Sequence, residues 1–214
     1  MNNTPVIATH KIIVFIVFVC AALISSLFIY HASQKNIKPV LAADVGLIFP
    51  VPRDIKSFEL AAANQQKFTE KDFYKHWTLL FFGFTHCASV CPTTLTLMDH
   101  VYKNLHDKYP ELRVVLVSVD PERDTPESLL QYAQGFNPDF IAISGKIQNI
   151  RKLQSQLGVY SARDNTFADN YQIQHTSSIM LINPEGKWTA IFKYGLKPAD
   201  LIKGIETSIG YSHG

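Results

Sequence analysis

Nineteen consecutive residues, from Ile12 to Tyr30, carry no charge and no His, Pro or Gly, and this run constrains the chain more than any other feature. At about 1.5 Å rise per residue, a helix of that length spans ~28 Å, close to the ~30 Å hydrocarbon layer of a bilayer. A signal-peptide apolar core is shorter, ~7–15 residues, and the nearest small-residue cleavage pattern, Val40-Leu41-Ala42, lies well beyond the run. The expectation is an uncleaved, single-pass anchor at 12–30 behind a short tail at 1–11. Cys20 falls inside it as a small apolar residue facing lipid, since Val19 rather than a small residue precedes it. Lys11 and the amino terminus on one side, against Lys35 and Lys38 on the other, leave the positive-inside count level, so the charges do not decide orientation.

Beyond the anchor, the composition is that of one globular domain. The chain has 214 residues, 47% of them hydrophobic, enough for one good core. Twenty Lys and Arg against 18 Asp and Glu leave +2 with no basic run, which removes the electrostatic footprint of a nucleic-acid binder. Three Cys cannot make a disulfide scaffold, so a thiol with a purpose serves redox or metal chemistry.

Residues 31–52, with Pro39, Pro50 and Pro52 and no periodicity, read as a linker, and the domain as 53–214. Apolar runs at Leu79–Phe84, Val114–Val119 and Phe140–Ile143 suit buried strands. Helical patterns separate them: Thr93 to Lys108, with Leu95, Met98, Val101, Tyr102 and Leu105 on one face, then Pro126 to Gln134 behind Asp124 and Thr125 as cap candidates. A third helix fits Ile147 to Leu157, ended by Gly158; Ser178–Ile182 and Trp188–Tyr194 flank the turn Asn183-Pro184-Glu185-Gly186; a last helix follows Pro198. Phe58–Leu60 and Gln66–Phe68 read as a further hairpin without a turn glycine. This order predicts an α/β, thioredoxin-like fold whose mixed sheet has a parallel part and an antiparallel hairpin.

The chemistry gathers in Gly83-Phe84-Thr85-His86-Cys87-Ala88-Ser89-Val90-Cys91-Pro92, between a buried strand and a helix start. Free backbone N–H groups and the helix dipole favour thiolates there, so both Cys87 and Cys91 are expected to be activated. His175 precedes the strand Ser178–Ile182; if that strand runs antiparallel to the one ending at Phe84, His175 reaches the same sheet edge. Two thiolates and one imidazole form a soft three-ligand set that suits Cu(I) and extends to Cu(II), whereas zinc would want a fourth ligand. Asp120, closing the strand Val114–Val119, is a candidate to orient His175 or to receive protons, and equally a turn residue and cap. His86 reads as an exposed loop residue, and Met98 and Met180 as core filling.

Three ordered segments, Phe82–Cys87 through Cys91–Leu95, Asp120–Glu127, and Tyr171–Thr176 through Pro184–Gly186, resemble the Sco/SenC family across roughly residues 50–210. The resemblance implies copper bound by Cys87, Cys91 and His175. It further implies an inner-membrane protein whose thioredoxin-like domain faces the periplasm, or the intermembrane space if mitochondrial. The implied task is loading or reducing the CuA site of cytochrome c oxidase, with the copper-site subunit, other copper carriers and thiol reductants as partners. Ala88-Ser89 stand where that family commonly has Pro-Asp, Gln174 where an acidic residue often precedes the His, and Met180 where Tyr is common; none removes a ligand.

Two other functions compete with copper delivery. A peroxiredoxin-like site needs Pro-x-x-x-Thr/Ser-x-x-Cys, but Leu80 and Phe84 occupy the two positions before Cys87. A thiol–disulfide oxidoreductase that keeps partner cysteines reduced, with Cys87 and Cys91 as its redox pair, remains the alternative.

Overall fold

The computed structural model describes residues 5–35, 40–42, 45–164 and 171–212. It divides into two units, Met1–Pro39 and Val40–Gly214. The first is the helix α1 (Pro5–Lys35). Within it, Ile12–Ile29 has a mean hydropathy of 3.1, long and apolar enough to cross a membrane, and none of that window is buried.

The second unit runs β1 (Val40–Ala42), β2 (Gly46–Asp54), β3 (Glu59–Ala62), β4 (Lys67–Thr69), β5 (Trp77–Gly83), α2 (Val90–Leu105), β6 (Leu112–Ser118), α3 (Pro126–Gln134), β7 (Ile141–Ser144), α4 (Ile147–Gln156), β8 (Ser161–Asp164), β9 (Gln172–His175), β10 (Ile179–Ile182), β11 (Lys187–Phe192) and α5 (Pro198–Ser212). Nine strands form one sheet in the order β1-β2-β11-β10-β5-β6-β7-β3-β4, and β8 and β9 pair separately. Among the described residues only β5–β6 and β6–β7 pair in parallel, through the helical crossovers α2 and α3. All seven residues of β5 are buried, as a strand covered on both faces requires, which is why its sequence shows no polar alternation. The predicted face of α2, Leu95, Met98, Val101, Tyr102 and Leu105, is buried in the same core.

The mixed α/β sheet follows the expected order, with two instructive differences and one expected hairpin explained. Residues 46–54, all but the last two in the span read as linker, are strand β2, antiparallel to β11. Pro50 and Pro52 hid it, yet they fall where the register slips between Trp188 and Ala190; at a bulge a missing N–H breaks no ladder bond. The folded unit therefore begins at about residue 40 rather than 53; residues 31–35 belong to α1, and 36–39 and 43–44 lie outside the described residues. The hairpin β3–β4 forms without a turn glycine because Asn64 and Gln65 adopt φ of 59° and 57° themselves. The β8–β9 hairpin was not anticipated: its four-residue strands mix polar and apolar positions and carry no alternation a sequence could display.

Candidate metal centre

At its upper end β5 leads into Gly83 and Phe84, the chain turns with the Cys87 amide donating to the Phe84 carbonyl, and α2 starts at Val90. The helix thus begins earlier than its apolar pattern suggests, and Cys91 lies in its first turn. Pro92 sits beside it, where a missing N–H leaves nothing unsatisfied. Gly83 sits in a close approach: a Cβ there would stand 3.0 Å from the Phe81 ring, 3.1 Å from the Cys91 sulfur and 3.2 Å from Leu116, so these neighbours would have to give way. Cys91 is fully buried and Cys87 half-buried; both are free thiols, as is the exposed Cys20.

His175 comes from the other side of the site. The strand β10 runs antiparallel to β5 with Ile179 opposite Phe81, as the sequence argument required, so β9, just before it, ends over the Cys loop. The imidazole stands edge-on to Phe81 and Phe84, at ring separations of 6.0 and 5.9 Å. Its Nδ1 lies 3.1 Å from the Thr176 carbonyl, which can only accept, so Nδ1 carries the proton and Nε2 is left as a lone pair. That Nε2 lies 3.5 Å from the Cys91 sulfur. The ligand atoms of Cys87, Cys91 and His175 all fall within 4.8 Å of one another, and this cluster fits a metal site.

The two thiols are not equivalent, which corrects the expectation that both are activated. Cys87 is held down to about 4, chiefly by the hydrogen bond from the Cys91 thiol, against its partial desolvation and with further support from the Cys91 and Ser89 amides. The Cys91 amide donates to the Cys87 sulfur at 3.3 Å. Cys91 is pushed strongly up by the neighbouring Cys87 sulfur and by burial. One proton is therefore shared by the pair, and it resides on the buried sulfur.

Asp120 is buried but does not reach the imidazole, whose Nδ1 is taken by Thr176. Its carboxylate accepts from Arg123 Nε at 2.5 Å and from the Tyr171 hydroxyl at 2.8 Å. The Tyr171 ring is in turn sandwiched between the guanidinium groups of Arg123 and Arg163, at 3.6 and 3.5 Å from its centre. Asp120 thus fastens the beginning of β9, two links away from His175, and the expected direct orientation of the ring is not found. Asp124, considered only as a cap, is also buried: it accepts from Thr85 N, Thr85 Oγ1 and Ser118 Oγ, and so ties the Cys loop to the end of β6. Burial pushes its carboxyl up, opposed by those hydrogen bonds. The helix cap is Thr125, through Ser128 N. The spacing Asp120-x-x-x-Asp124 carried no signal that these carboxylates face inward. Met98 and Met180 are core residues, and His86 is exposed.

A family model described as SCO1/SenC matches residues 52–210. A SCO2-like protein from Rickettsia typhi is 30% identical over 182 residues, covering 84% of this chain and 89% of its own. Among solved structures, Bradyrhizobium japonicum ScoI with copper bound superposes with a TM-score of 0.64 at 30% identity, covering 72% of this chain and 98% of that one. Arabidopsis thaliana ScoI with copper bound gives 0.68 at 27% identity, covering 72% and 96%. With the model spanning most of the chain and the fold shared with those structures, the chain belongs to the SCO1/SenC family.

Proposed function

We propose that this protein is a membrane-anchored copper metallochaperone that takes copper as cargo on Cys87, Cys91 and His175. The carrying observation is the convergence of two sulfurs and one imidazole nitrogen within 4.8 Å, with no fourth His, Cys or carboxylate in that cluster among the described residues. Such a soft, three-coordinate set favours Cu(I) over the metals that want four or six ligands. Copper-bound ScoI structures of the same fold support the reading. In this reading the recipient is the CuA site of cytochrome c oxidase. The apolar helix is the anchor, with the amino terminus cytoplasmic and the domain in the periplasm or, in a mitochondrion, the intermembrane space. X-ray absorption on the Cu(I)-loaded full chain in detergent should show two sulfur neighbours and one nitrogen. A copper shell unaltered by Cys87→Ala or His175→Ala would overturn the ligand set, and a reporter fused after Gly214 that works only in the cytoplasm would overturn the topology.

A second reading rests on the inequality of the thiols. A half-buried low-pKa sulfur beside a buried protonated one is the arrangement of an attacking and a resolving cysteine, suited to reducing a partner's disulfide. The two readings part at His175. Its replacement by Ala should leave exchange with a model disulfide within about tenfold, because the imidazole there only modulates the thiolate. Copper-centre assembly in the partner oxidase should fail. Normal oxidase assembly by this variant at low copper would make reduction the principal task.

A further inference from the structure

Beside the three converging ligands, the Cys loop carries one more side chain able to bind a metal. His86 is exposed, adjacent in sequence to the half-buried Cys87, and outside the cluster of mutually close ligand atoms. Its ring is nevertheless fixed. Nδ1 lies 2.9 Å from Thr85 Oγ1, and that hydroxyl lies 2.5 Å from Asp124 Oδ1. The direction of each bond follows from the buried end. Asp124 is almost fully buried and receives Ser118 Oγ and the Thr85 amide as well, so it acts as the acceptor of the chain. Ser118 Oγ itself receives the Asp120 amide, leaving its proton for Asp124. The Thr85 hydroxyl spends its only proton on Asp124 and must accept from His86 Nδ1–H. A neutral His86 therefore keeps the Nδ1–H tautomer, and its Nε2 lone pair faces away from that anchor.

An imidazole whose one N–H is fastened through a hydroxyl to a buried carboxylate, leaving the other nitrogen bare, is how proteins prepare histidine to bind metal. His175 is prepared in the same way, Nδ1 on a backbone carbonyl and Nε2 free. The difference lies in where the lone pairs go: that of His175 lies with the two sulfurs, and that of His86 belongs to an exposed ring one residue ahead of Cys87, the more accessible of the two cysteines.

We propose that His86 is a transfer ligand: its Nε2 binds Cu(I) transiently as the metal passes between an incoming carrier and Cys87. The inference rests on the copper reading above. Copper stays Cu(I) throughout and no electron moves. As the Cu–Nε2 bond of His86 forms, one bond from copper to the carrier's donor breaks; the Cys87 thiolate then displaces the next donor. Cys91 gives its proton to solvent as its sulfur binds, and His175 replaces His86 in the final shell.

The test is the rate at which the full chain in detergent withdraws Cu(I) from its bicinchoninate complex, followed by the complex's absorbance, with the final stoichiometry and affinity read from the same titrations. His86→Ala should bind one copper with unchanged affinity yet load at least about tenfold more slowly, the scale on which a metal site responds to losing a supporting group. Thr85→Ser, which preserves the hydroxyl relay, should load at the wild-type rate. Nitrogen NMR of the apo protein should find His86 protonated at Nδ1. Wild-type loading by His86→Ala, a proton on Nε2, or an altered final affinity would each overturn the transfer role while leaving the three-ligand site standing. No copper uptake by the wild-type chain would overturn both.

Discussion

The cysteine pair and the histidine reach one point from regions built very differently. Cys87 and Cys91 hang between β5, buried along its whole length at the centre of the nine-stranded sheet, and the first turn of α2, whose apolar face lies in the main core. His175 ends a four-residue strand of a two-stranded sheet whose eight residues are half-buried or exposed. Among the described residues its ties to the rest of the domain include Tyr171 to Asp120, Arg163 to Glu122 and Gln154 to Ser161, with Ile173 packed on the core. Regions with few buried contacts open at lower free energy than core strands. In the copper reading proposed above, two sulfurs on a buried frame and one nitrogen on a more exposed arm would keep the sulfurs fixed and let the nitrogen go, an inequality that suits a carrier giving up its cargo.

The comparison is broken most severely at the frame. Cys91→Ala should abolish copper binding, measured by copper retained per chain after desalting, whereas His175→Ala should leave a weakly bound, two-sulfur copper. Equal loss in both variants would show that frame and arm contribute alike. Next in size, Phe82→Ala on β5 should cost about 3–5 kcal/mol in denaturant unfolding, as large-to-small changes in packed cores do. Ile173→Ala on β9, partly buried, should cost less than half of that; comparable losses would mean the arm is as integral as the sheet.

A smaller effect sharpens the contrast at the clasp. Tyr171→Phe removes one hydrogen bond from buried Asp120 and keeps the ring between the two guanidiniums. It should lower copper affinity by about 10–100-fold, the range for losing a group that supports a ligand, with Cys87 alkylation unchanged. Altered thiol reactivity would show that the clasp acts on the frame as well. The least effect is expected from pH. Because Cys87 is held down to about 4, its thiolate is already formed above roughly pH 5. Its alkylation by iodoacetamide should be nearly level between about pH 6 and 8, where an ordinary thiol rises about tenfold per unit. Cys91 should stay unmodified; a steep rise would place the proton on Cys87 instead.

Much of this frame was legible in the chain. Leu79–Phe84 and Val114–Val119 are apolar without alternation because their strands are covered on both faces, and that covering is a property of the residues themselves. Pro126 behind Thr125, and Gly186 with φ of 74° in the turn before β11, state their local conformations directly. The arm was not legible, since Ser161–Asp164 and Gln172–His175 form strands only by pairing with each other. Strand β2 was hidden by prolines that are harmless only because they sit in its own bulged stretch, where the pairing with β11 slips. Of the roles open to Asp120, direct contact with His175 is not made, for a related reason: a carboxylate's partners are chosen by what lies nearby in space, here Arg123 and Tyr171.

The sequence by itself determined the apolar helix, the order of the parallel strands and their helices, and the three residues whose types suit a soft metal. Those follow from hydrophobic periodicity, turn chemistry and ligand softness, all of which act within a few residues of the chain. Tertiary structure alone decided which sulfur holds the proton, which nitrogen of His86 and of His175 is bare, and that Asp124 rather than Asp120 secures the cysteine loop. Each of these depends on burial and on hydrogen bonds between groups distant in sequence, such as Thr85 with Asp124 or His175 with Cys91. Electrostatic and hydrogen-bond energies are set by separations of a few ångströms, which exist only once the sheet has brought its edges together.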